Sequence, residues 1–177
     1  RTQTTGAGAS GTSAIAFGGE APPRTGATEV YDGTSWSEAA DINTGRYECM
    51  GTGTPAAALI AQGGAAPGST VNSEEWNGSA WSEGDNLNTA RAPISGSGTQ
   101  TAGLAIGGYA GSGTGSDAVE KYDGSSWTEV GNLNTARSYL VSSGIQTDTI
   151  SISGYNETAN LANCEAFDGT SWTEVAD

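Results

Sequence analysis

The protein is a chain of 177 residues with 6 Lys plus Arg, 20 Asp plus Glu and no His, and its formal net charge at pH 7 is −14. This charge disfavours binding to DNA, RNA or anionic lipid through bulk electrostatics, so no nucleic-acid partner is expected. No apolar run approaches the ~20 residues of a membrane span, so no membrane insertion is expected. The length suits one compact domain. Because the chain begins at Arg1 and not at Met, we expect it to be processed or part of a longer polypeptide.

Three markers recur along the chain in one register and predict a fourfold repeat. Arginines stand 45, 45 and 46 residues apart at Arg1, Arg46, Arg91 and Arg137. A glycine pair stands at Gly18-Gly19, Gly63-Gly64 and Gly107-Gly108, with Ser153-Gly154 as a degenerate fourth. Tryptophans stand 45, 46 and 45 residues apart at Trp36, Trp81, Trp127 and Trp172. We therefore predict one domain, 1–177, made of the repeats 1–45, 46–90, 91–136 and 137–177.

Each repeat predicts four β-strands and no helix. A weak strand follows the arginine, and the second strand is the apolar run before the glycine pair. In that run large branched residues stand beside small ones, which is typical of a strand packed on both faces with little room on one of them. The branched column is Ile15, Ile60, Leu104 and Ile150, and the small column is Ala16, Ala61, Ala105 and Ser151. Because helical periodicity is missing throughout, the chain is predicted to be all-β.

The third and fourth strands of each repeat are predicted to form a hairpin around an Asp-Gly or Asn-Gly turn. Glycine accepts positive φ without steric cost, which makes this dipeptide a strong turn signal. The turns are Asp32-Gly33, Asn77-Gly78, Asp123-Gly124 and Asp168-Gly169. The aromatic residues that precede them are Tyr31, Trp76, Tyr122 and Phe167, and a repeated tryptophan follows each turn. We predict that these aromatics stack each sheet onto its neighbour, since a single sheet cannot bury both faces.

A diglycine after an apolar strand, an aromatic residue before a turn and a tryptophan after it resemble the kelch repeat, the four-stranded blade of a β-propeller. The residues that carry the resemblance are Gly18-Gly19, Tyr31, Trp36 and Arg46 with their later counterparts, and it covers nearly the whole chain. It implies that the glycine pair ends the second strand and that the aromatic and the tryptophan lie on the third and fourth. Ser153, in place of a glycine, is expected to strain or reshape the end of its strand.

Four blades are few for this family, whose rings usually resemble six- or seven-bladed discs. The chain is therefore expected to be a segment of a larger ring or an open array of blades, with a small closed ring as the alternative. The acidic, Thr/Ser/Gly-rich repeats with their "NLNTAR" linkers also resemble kelch-like repeats in structural proteins of marine phages and bacteria, which serve in tails, fibres or surfaces.

The composition argues against an enzyme, a metal site and a bound cofactor. Without histidine the chain lacks the commonest general base and the commonest metal ligand. Kelch propellers include a copper oxidase resembling galactose oxidase, but copper there needs imidazole ligands that this chain cannot supply. Cys49 and Cys164 fall at different points of the repeat and are expected to form no disulfide.

Carboxylates also recur once per repeat, seven places before each tryptophan and two places after it. The first set is Glu29, Glu74, Glu120 and Glu165, and the second is Glu38, Glu83, Glu129 and Glu174. The first set predicts structural ion pairs with the repeated arginines, the alternative being a ring of ligands for a cation. The second set is expected to lie on a solvated strand face. The linker asparagines Asn43, Asn88 and Asn134 are expected to hydrogen-bond nearby backbone in turns.

The repeats differ most between the glycine pair and the first repeated glutamate, and recognition is expected there. These segments read "EAPPRTGAT", "AAPGSTVNS", "YAGSGTGSDAV" and "YNETANLANC". Variable loops on a rigid scaffold are the usual place for binding, and such loops crowd one rim of a propeller. Aromatics and amides suit protein or glycan surfaces, and the candidate contact residues are Tyr109, Asp117, Tyr155, Asn156 and Asn160. A neutral, merely tolerated loop is the alternative.

These patterns together predict a non-enzymatic structural or interaction module that is part of a larger or oligomeric structure. The expected setting is a virion, as a phage tail, fibre or capsid-associated part, or an extracellular surface assembly held by protein–protein contacts. The alternative is an adhesin that binds a host receptor or glycan through the variable loops.

Overall fold

The computed structural model describes residues 1–21, 24–65, 68–111 and 115–176. Over these residues the protein is all-β, with sixteen strands in four four-stranded antiparallel sheets and no helix. The predicted fold class, four-stranded antiparallel blades, is therefore confirmed. The described part of the chain accordingly offers no helix that could cross a membrane.

The sheets follow one another along the chain. The first consists of β1 (Thr5–Ser10), β2 (Ser13–Phe17), β3 (Thr28–Tyr31) and β4 (Trp36–Ala39). The second consists of β5 (Met50–Thr54), β6 (Ala57–Ala61), β7 (Ser73–Trp76) and β8 (Trp81–Glu83). The third consists of β9 (Ser95–Thr99), β10 (Ala102–Ile106), β11 (Val119–Tyr122) and β12 (Trp127–Glu129). The fourth consists of β13 (Val141–Ile145), β14 (Asp148–Tyr155), β15 (Asn160–Phe167) and β16 (Trp172–Val175).

The first strand of each sheet is its innermost strand. β1 packs against β5, β5 against β9, and β9 against β13. Together these strands line a channel-like cavity of about 210 Å³, and every residue that lines it is Gly, Ala, Ser or Thr. Sheets placed side by side with their first strands inward form the blades of a β-propeller.

The two ends of the sheets carry different loops. At one end, short bridges tie the starts of the innermost strands to the variable segments, pairing Thr2 with Glu20, Tyr47 with Gly64, and Ser138 with Tyr155. We call this end, with the described residues of 19–27, 63–72, 108–118 and 154–160, the loop rim. At the other end lie the hairpins that join the third strand of each sheet to the fourth.

Three apolar clusters hold neighbouring sheets together. Each joins aliphatic or aromatic residues of one sheet to the aromatic hairpin of the next, as in the pairs Phe17 with Trp81, Leu59 with Trp127, and Leu104 with Trp172. These three tryptophans are 7, 6 and 6 % exposed, so their predicted place between sheets is confirmed. The same prediction is wrong for Trp36, which is 51 % exposed because no sheet of the described chain lies in front of it.

Each sheet has two different faces. The face toward the next sheet, which we call the forward face, carries large apolar side chains on its second strand, and on the first strand of the second and fourth sheets. The opposite, backward face carries glycine and other small residues on these two strands, except for Ile60 of the second sheet. A Cβ on Gly51 would lie 2.9 Å from the Phe17 ring, and one on Gly96 would lie 2.9 Å from the Met50 side chain. The forward face of one sheet therefore fits into the backward face of the next because the glycines leave room for it.

In the second repeat, the two residues with left-handed backbone lie one residue earlier than the glycine pair Gly63-Gly64 predicts. The left-handed pairs that end the second strands are Gly18-Gly19, Gln62-Gly63 and Gly107-Gly108. Gln62 adopts a φ of 56°, and its side-chain amide donates to the Thr89 carbonyl at 2.6 Å. Position 64 requires glycine for a different reason, because a Cβ on Gly64 would lie 2.6 Å from the Tyr47 ring. The counterpart of Ile15 is consequently Leu59 and not Ile60.

The fourth repeat departs from the others at Ser153, as expected. Ser153 has a φ of 64°, and the pairing of β14 with β15 shifts register between Ile152 and Gly154. Beyond this bulge the two strands continue as far as the pair Tyr155 and Asn160. The fourth variable segment is therefore a strand hairpin that projects from its sheet.

The aromatic hairpins turn through four-residue loops whose first side chain closes the turn. The glycines Gly33, Gly78, Gly124 and Gly169 have φ of 98°, 94°, 92° and 94°, as the turn prediction requires. Asp123 Oδ1 accepts from the backbone N–H groups of Ser125 and Ser126, both at 2.9 Å. Hydrogen bonds from the Ser125 hydroxyl and from these N–H groups lower the pKa of Asp123 to about 2. Asn77 makes the equivalent bonds without a charge.

Candidate functional site

The repeated arginines and glutamates form buried ion pairs, which confirms the structural interpretation of these residues. The pairs are Arg46 with Glu74, Arg91 with Glu120, and Arg137 with Glu165, and their side chains are 0 or 1 % exposed. Arg91 Nη2 lies 2.9 Å from Glu120 Oε1. Glu120 Oε2 also accepts from the Asn88 backbone N–H at 2.8 Å. Each of these glutamates therefore fastens the linker from the preceding sheet onto its own sheet.

This arrangement disfavours the alternative of a cation-binding ring of glutamates. The carboxylates already face guanidinium and backbone N–H donors, which satisfy their lone pairs. Among the described residues, no group of three or more His, Cys, Asp or Glu is placed to hold a metal ion. Burial lowers the pKa of the Arg91 guanidinium, while Glu120 acts in the opposite direction. The polar groups that repeat are thus used to hold the sheets and linkers together.

Two of the three linker asparagines, Asn88 and Asn134, do not act as predicted. Asn134 Nδ2 donates to Glu165 Oε2 at 2.8 Å and to the Trp172 carbonyl at 3.0 Å. Asn88 Nδ2 donates to Glu120 Oε2 at 2.9 Å. The prediction that these side chains bond nearby backbone is wrong for these two residues. Their amides reach the following sheet because the linker lies against its third strand.

Sequence reasoning missed the apolar residue before each asparagine. Ile42, Leu87 and Leu133 are 4, 3 and 3 % exposed, although they stand in polar linkers. The Leu133 N–H donates to the Asp117 carbonyl at 2.9 Å, which ties the linker to the variable segment. The signal was present in the sequence, because an apolar residue precedes Asn-Thr in all three linkers. These residues anchor the base of the loop rim.

The two cysteines form no disulfide, as expected. Cys49 is buried in the cluster between the first and second sheets. Burial raises the pKa of its thiol to about 12, so Cys49 stays protonated at neutral pH. Because the thiolate is the nucleophile, Cys49 is unsuited to nucleophilic chemistry.

Three of the candidate contact residues lie on the projecting hairpin of the fourth sheet. Tyr155 is half-buried and Asn160, opposite to it, is exposed. Asn156 Oδ1 accepts from the N–H groups of Thr158 at 3.1 Å and Ala159 at 2.8 Å. The Asn156 side chain therefore closes its own turn, which leaves Tyr155 and Asn160 as the better contact candidates here.

The other two candidates, Tyr109 and Asp117, lie in the third variable segment. Both are half-buried. The Tyr109 carbonyl accepts from the Ala92 N–H at 3.0 Å, and Tyr109 forms a bridge with Gly115. Their backbones therefore brace the segment, while their side chains stay partly open to solvent. The parts of the variable segments at 22–23, 66–67 and 112–114 lie outside the described residues.

A further group of residues beside the loop rim, which sequence reasoning missed, stands two places after the repeated arginines, and we count it with the loop rim from here on. Gln3, Glu48 and Tyr139 have φ of 52°, 55° and 53°, which is uncommon for residues other than glycine. Gln3 Nε2 donates to Glu48 Oε1 at 2.6 Å, and Tyr139 is 62 % exposed. Burial raises the pKa of Glu48, and the nearby Glu20 carboxylate raises it further. These residues were detectable, because this position carries a different side chain in every repeat.

The loop rim as a whole presents aromatics, amides and carboxylates on a braced backbone. On its first-sheet side, Arg24 lies over the Tyr47 ring, 4.9 Å from the ring centroid. Such a surface can contact a protein or a glycan, since aromatic and polar groups stand side by side on it. Neither a protein-family model nor a curated protein matches this chain. The functional interpretation therefore rests on the geometry of the loop rim and of the sheet faces.

Proposed function

We propose that this protein is a non-enzymatic structural and interaction module of kelch-like blades, whose loop rim contacts other proteins in a larger assembly. The observation that carries the proposal is a division between two sets of polar residues. Those that repeat, the Arg–Glu pairs, are buried and hold sheets to linkers. Those that vary between repeats lie on the loop rim. Variable groups on a rigid scaffold are the usual basis of recognition.

The chemistry of the interior supports a role without catalysis. The chain has no histidine, and the repeated carboxylates are occupied by arginine and backbone donors. Cys49 is held as a thiol by burial. An enzyme needs groups with suitable pKa values at an accessible site, and these buried groups offer none.

The proposed setting is a virion or an extracellular surface. Its support is compositional: 28 Gly, a formal net charge of −14 and nearly identical Thr/Ser-rich repeats are the style of phage and bacterial structural proteins. A strongly acidic surface also favours solubility and disfavours contact with nucleic acid.

The proposal can be tested by site-specific photo-cross-linking within the native particle or cell surface. A photoreactive residue replaces Asn160 on the loop rim, and a matched one replaces Ala80 in the aromatic hairpin of the second sheet, at the opposite end. Both positions are exposed. We expect a discrete cross-link to another assembly component from position 160 and none from position 80. Equal cross-linking from both positions, or none from position 160, would contradict the proposal.

A second candidate is a glycan-binding adhesin, which the exposed ring of Tyr139 beside Glu48 favours. Aromatic rings with neighbouring polar groups give a surface that is apolar on one side and hydrogen-bonding on the other. Glycan-array binding that is lost in Tyr139→Ala and Tyr155→Ala, but kept in Thr34→Ala, would favour this function. Arrays without binding by the unmodified chain would leave the protein-assembly proposal in place.

A further inference from the structure

No sheet formed by the described residues covers the backward face of the first sheet. In the other sheets the residues before and after the aromatic turn are buried, with Trp76, Tyr122 and Phe167 at 1, 1 and 2 % exposure. In the first sheet Tyr31 is half-buried and Trp36 is 51 % exposed. Towards the innermost strand this face continues with Ala16 and Gly6, which are register partners across β1 and β2. The first sheet thus shows solvent the same surface that its three counterparts bury.

The forward face of the fourth sheet is likewise left open by the part of the chain that the structure describes. Its apolar residues are Val141, Ile145, Ile150, Ile152 and Val175, exposed by 65, 58, 37, 41 and 40 %. Pairing across the strands places them on one face, because Val141 is opposite Ile152 and Cys164 is opposite both Ile152 and Val175. The counterparts of Ile150 and Ile152 in the first three sheets are at most 1 % exposed. An apolar patch of this kind marks an interaction surface.

The two uncovered faces match each other as the internal faces do. Met50 on a forward face packs where a Cβ on Gly96 of the next sheet would lie only 2.9 Å away. The counterpart of Met50 in the fourth sheet is Val141, and the counterpart of Gly96 in the first sheet is Gly6. The protruding side chain, Val141, and the glycine that leaves room for it, Gly6, are therefore both present, on the fourth sheet and on the first.

The exposed tryptophan has a matching position too. Trp81 Nε1 donates to Thr28 Oγ1 on the preceding sheet at 3.0 Å, and Trp127 Nε1 lies 3.5 Å from Ser73 Oγ. Thr28 and Ser73 occupy equivalent positions on the third strands of their sheets. The equivalent residue of the fourth sheet is Cys164. Trp36 lacks such a sheet in front of it within the described residues. The forward face of the fourth sheet carries the equivalent surface and is exposed.

We propose that a second copy of this chain covers both faces by packing head to tail. The backward face of each copy, with Trp36, receives the forward face of the other, with Ile152. Two copies then close on each other through two equivalent contacts and complete a ring of blades, since a twofold arrangement uses every exposed face. The new contacts continue the series of three internal interfaces with the same surfaces. This inference concerns the sheet faces and is independent of the loop rim.

Charge gives the association a recognisable salt dependence. Beside their apolar residues the two faces carry acidic ones, Asp148 on the forward face and Glu38 on the backward face, and each whole chain carries a formal −14. Two copies therefore repel at long range and attract only where the faces meet. Added salt screens the repulsion, so dimerisation should strengthen as ionic strength rises. A contact built on ion pairs would show the opposite trend.

The association is tested by measuring molar mass with size-exclusion chromatography and light scattering. We expect the unmodified chain to run at twice its monomer mass of 17.7 kDa. Trp36→Glu and Ile152→Glu should each run as folded monomers, because a new carboxylate would be buried without a partner in the contact. Thr34→Glu, in the hairpin loop beside Trp36, is the matched control and should stay dimeric. Circular dichroism checks that all variants are folded.

Mixing the two monomeric variants decides whether the contact is head to tail. The Trp36→Glu chain keeps an intact forward face and the Ile152→Glu chain keeps an intact backward face. Their mixture should regain dimers through one intact contact. A monomeric unmodified chain, a mixture that stays monomeric, or a dimer that survives either substitution would overturn the proposal. The identity of the product separates this test from the cross-linking test, since a cross-link from position 160 to a second copy of this chain reports the dimer and one to a different protein reports the loop-rim contact.

Discussion

The second strands of the inner and outer sheets have similar sequences and different surroundings. In β6 and β10 the last four residues are all buried, on both faces. In β2 and β14 buried and less buried residues alternate, and the faces that remain open are opposite ones. The apolar sequence of a strand therefore does not decide its burial. Each face of the strand is buried only where a neighbouring sheet covers it. Substitutions at matched positions of covered and uncovered sheets test this dependence.

The largest difference is expected between two equivalent tryptophans. Trp127 is 6 % exposed between two sheets, and Trp36 is 51 % exposed. Trp127→Ala should lower the free energy of unfolding by ~3–5 kcal/mol, because it removes a large buried ring and leaves a cavity. Trp36→Ala should lower it by less than ~1 kcal/mol in dilute solution, where association contributes least. Urea unfolding measures both, and equal losses would contradict the comparison.

A nearly equal contrast is expected between two equivalent ion pairs. Glu120→Gln leaves the buried Arg91 charge uncompensated and should cost ~3 kcal/mol or more. The corresponding Glu29 side chain is 40 % exposed beside Arg1, so Glu29→Gln should cost only ~0–1 kcal/mol. Thermal unfolding at one pH compares the two variants. A Glu120→Gln protein as stable as Glu29→Gln would show that the buried pair does not hold the linker.

A smaller effect concerns the hydrogen bond of each buried tryptophan. Trp81 Nε1 donates to Thr28, whereas Trp172 Nε1 is buried with no partner among the described residues. Val119 stands at the position equivalent to Thr28. Val119→Thr should supply the missing acceptor and stabilise the protein by ~0.5–1.5 kcal/mol. Thr28→Val should destabilise it by ~1–3 kcal/mol because it orphans the Trp81 N–H. If both substitutions changed the free energy of unfolding in the same direction, the hydrogen bond between the tryptophan and the preceding sheet would not explain their effects.

The smallest expected effect is a pH dependence at the aromatic turns. The pKa of Asp123 is lowered to about 2 from an ordinary value of 3.8. A carboxyl group with a depressed folded pKa stabilises the protein above its unfolded pKa, and this stabilisation is lost as pH falls from about 4 to about 2. Asp123→Asn should keep the turn, as Asn77 does, and lose less stability over that window. Unfolding midpoints at several pH values test this, and a constant difference from the unmodified protein would refute it.

Much of the fold could be predicted from local patterns. The Asp-Gly turns force positive φ, and the alternation of apolar and small residues marks strands, so both features depend on neighbouring residues alone. The spacing of the glycines did not predict that Gln62 adopts the left-handed conformation in the second repeat. The Gln62 side chain bonds the Thr89 carbonyl, which is far along the chain. The destinations of the Asn88 and Asn134 amides were missed for the same reason.

The loop rim was only partly predictable. Variation between repeats located the segments that hold Tyr109, Asp117, Tyr155, Asn156 and Asn160. That the Asn156 side chain closes its own turn, and that Gln3 reaches Glu48, depends on how separate loops approach each other. Sequence variation marks where side chains are free to differ, while their partners are set by the surrounding backbone.

The repeat, the strands and the hairpins follow from short-range conformational preferences, which can be read from the sequence. Which copies of a repeated residue are buried depends on the tertiary structure. Trp36 and Trp172 both follow the letters "DGTS", yet one is 51 % exposed and the other 6 %. The difference lies in the third sheet, which stands in front of Trp172, while no described sheet stands in front of Trp36. A side chain is buried where two surfaces meet, and the sequence of one repeat specifies only one of those surfaces.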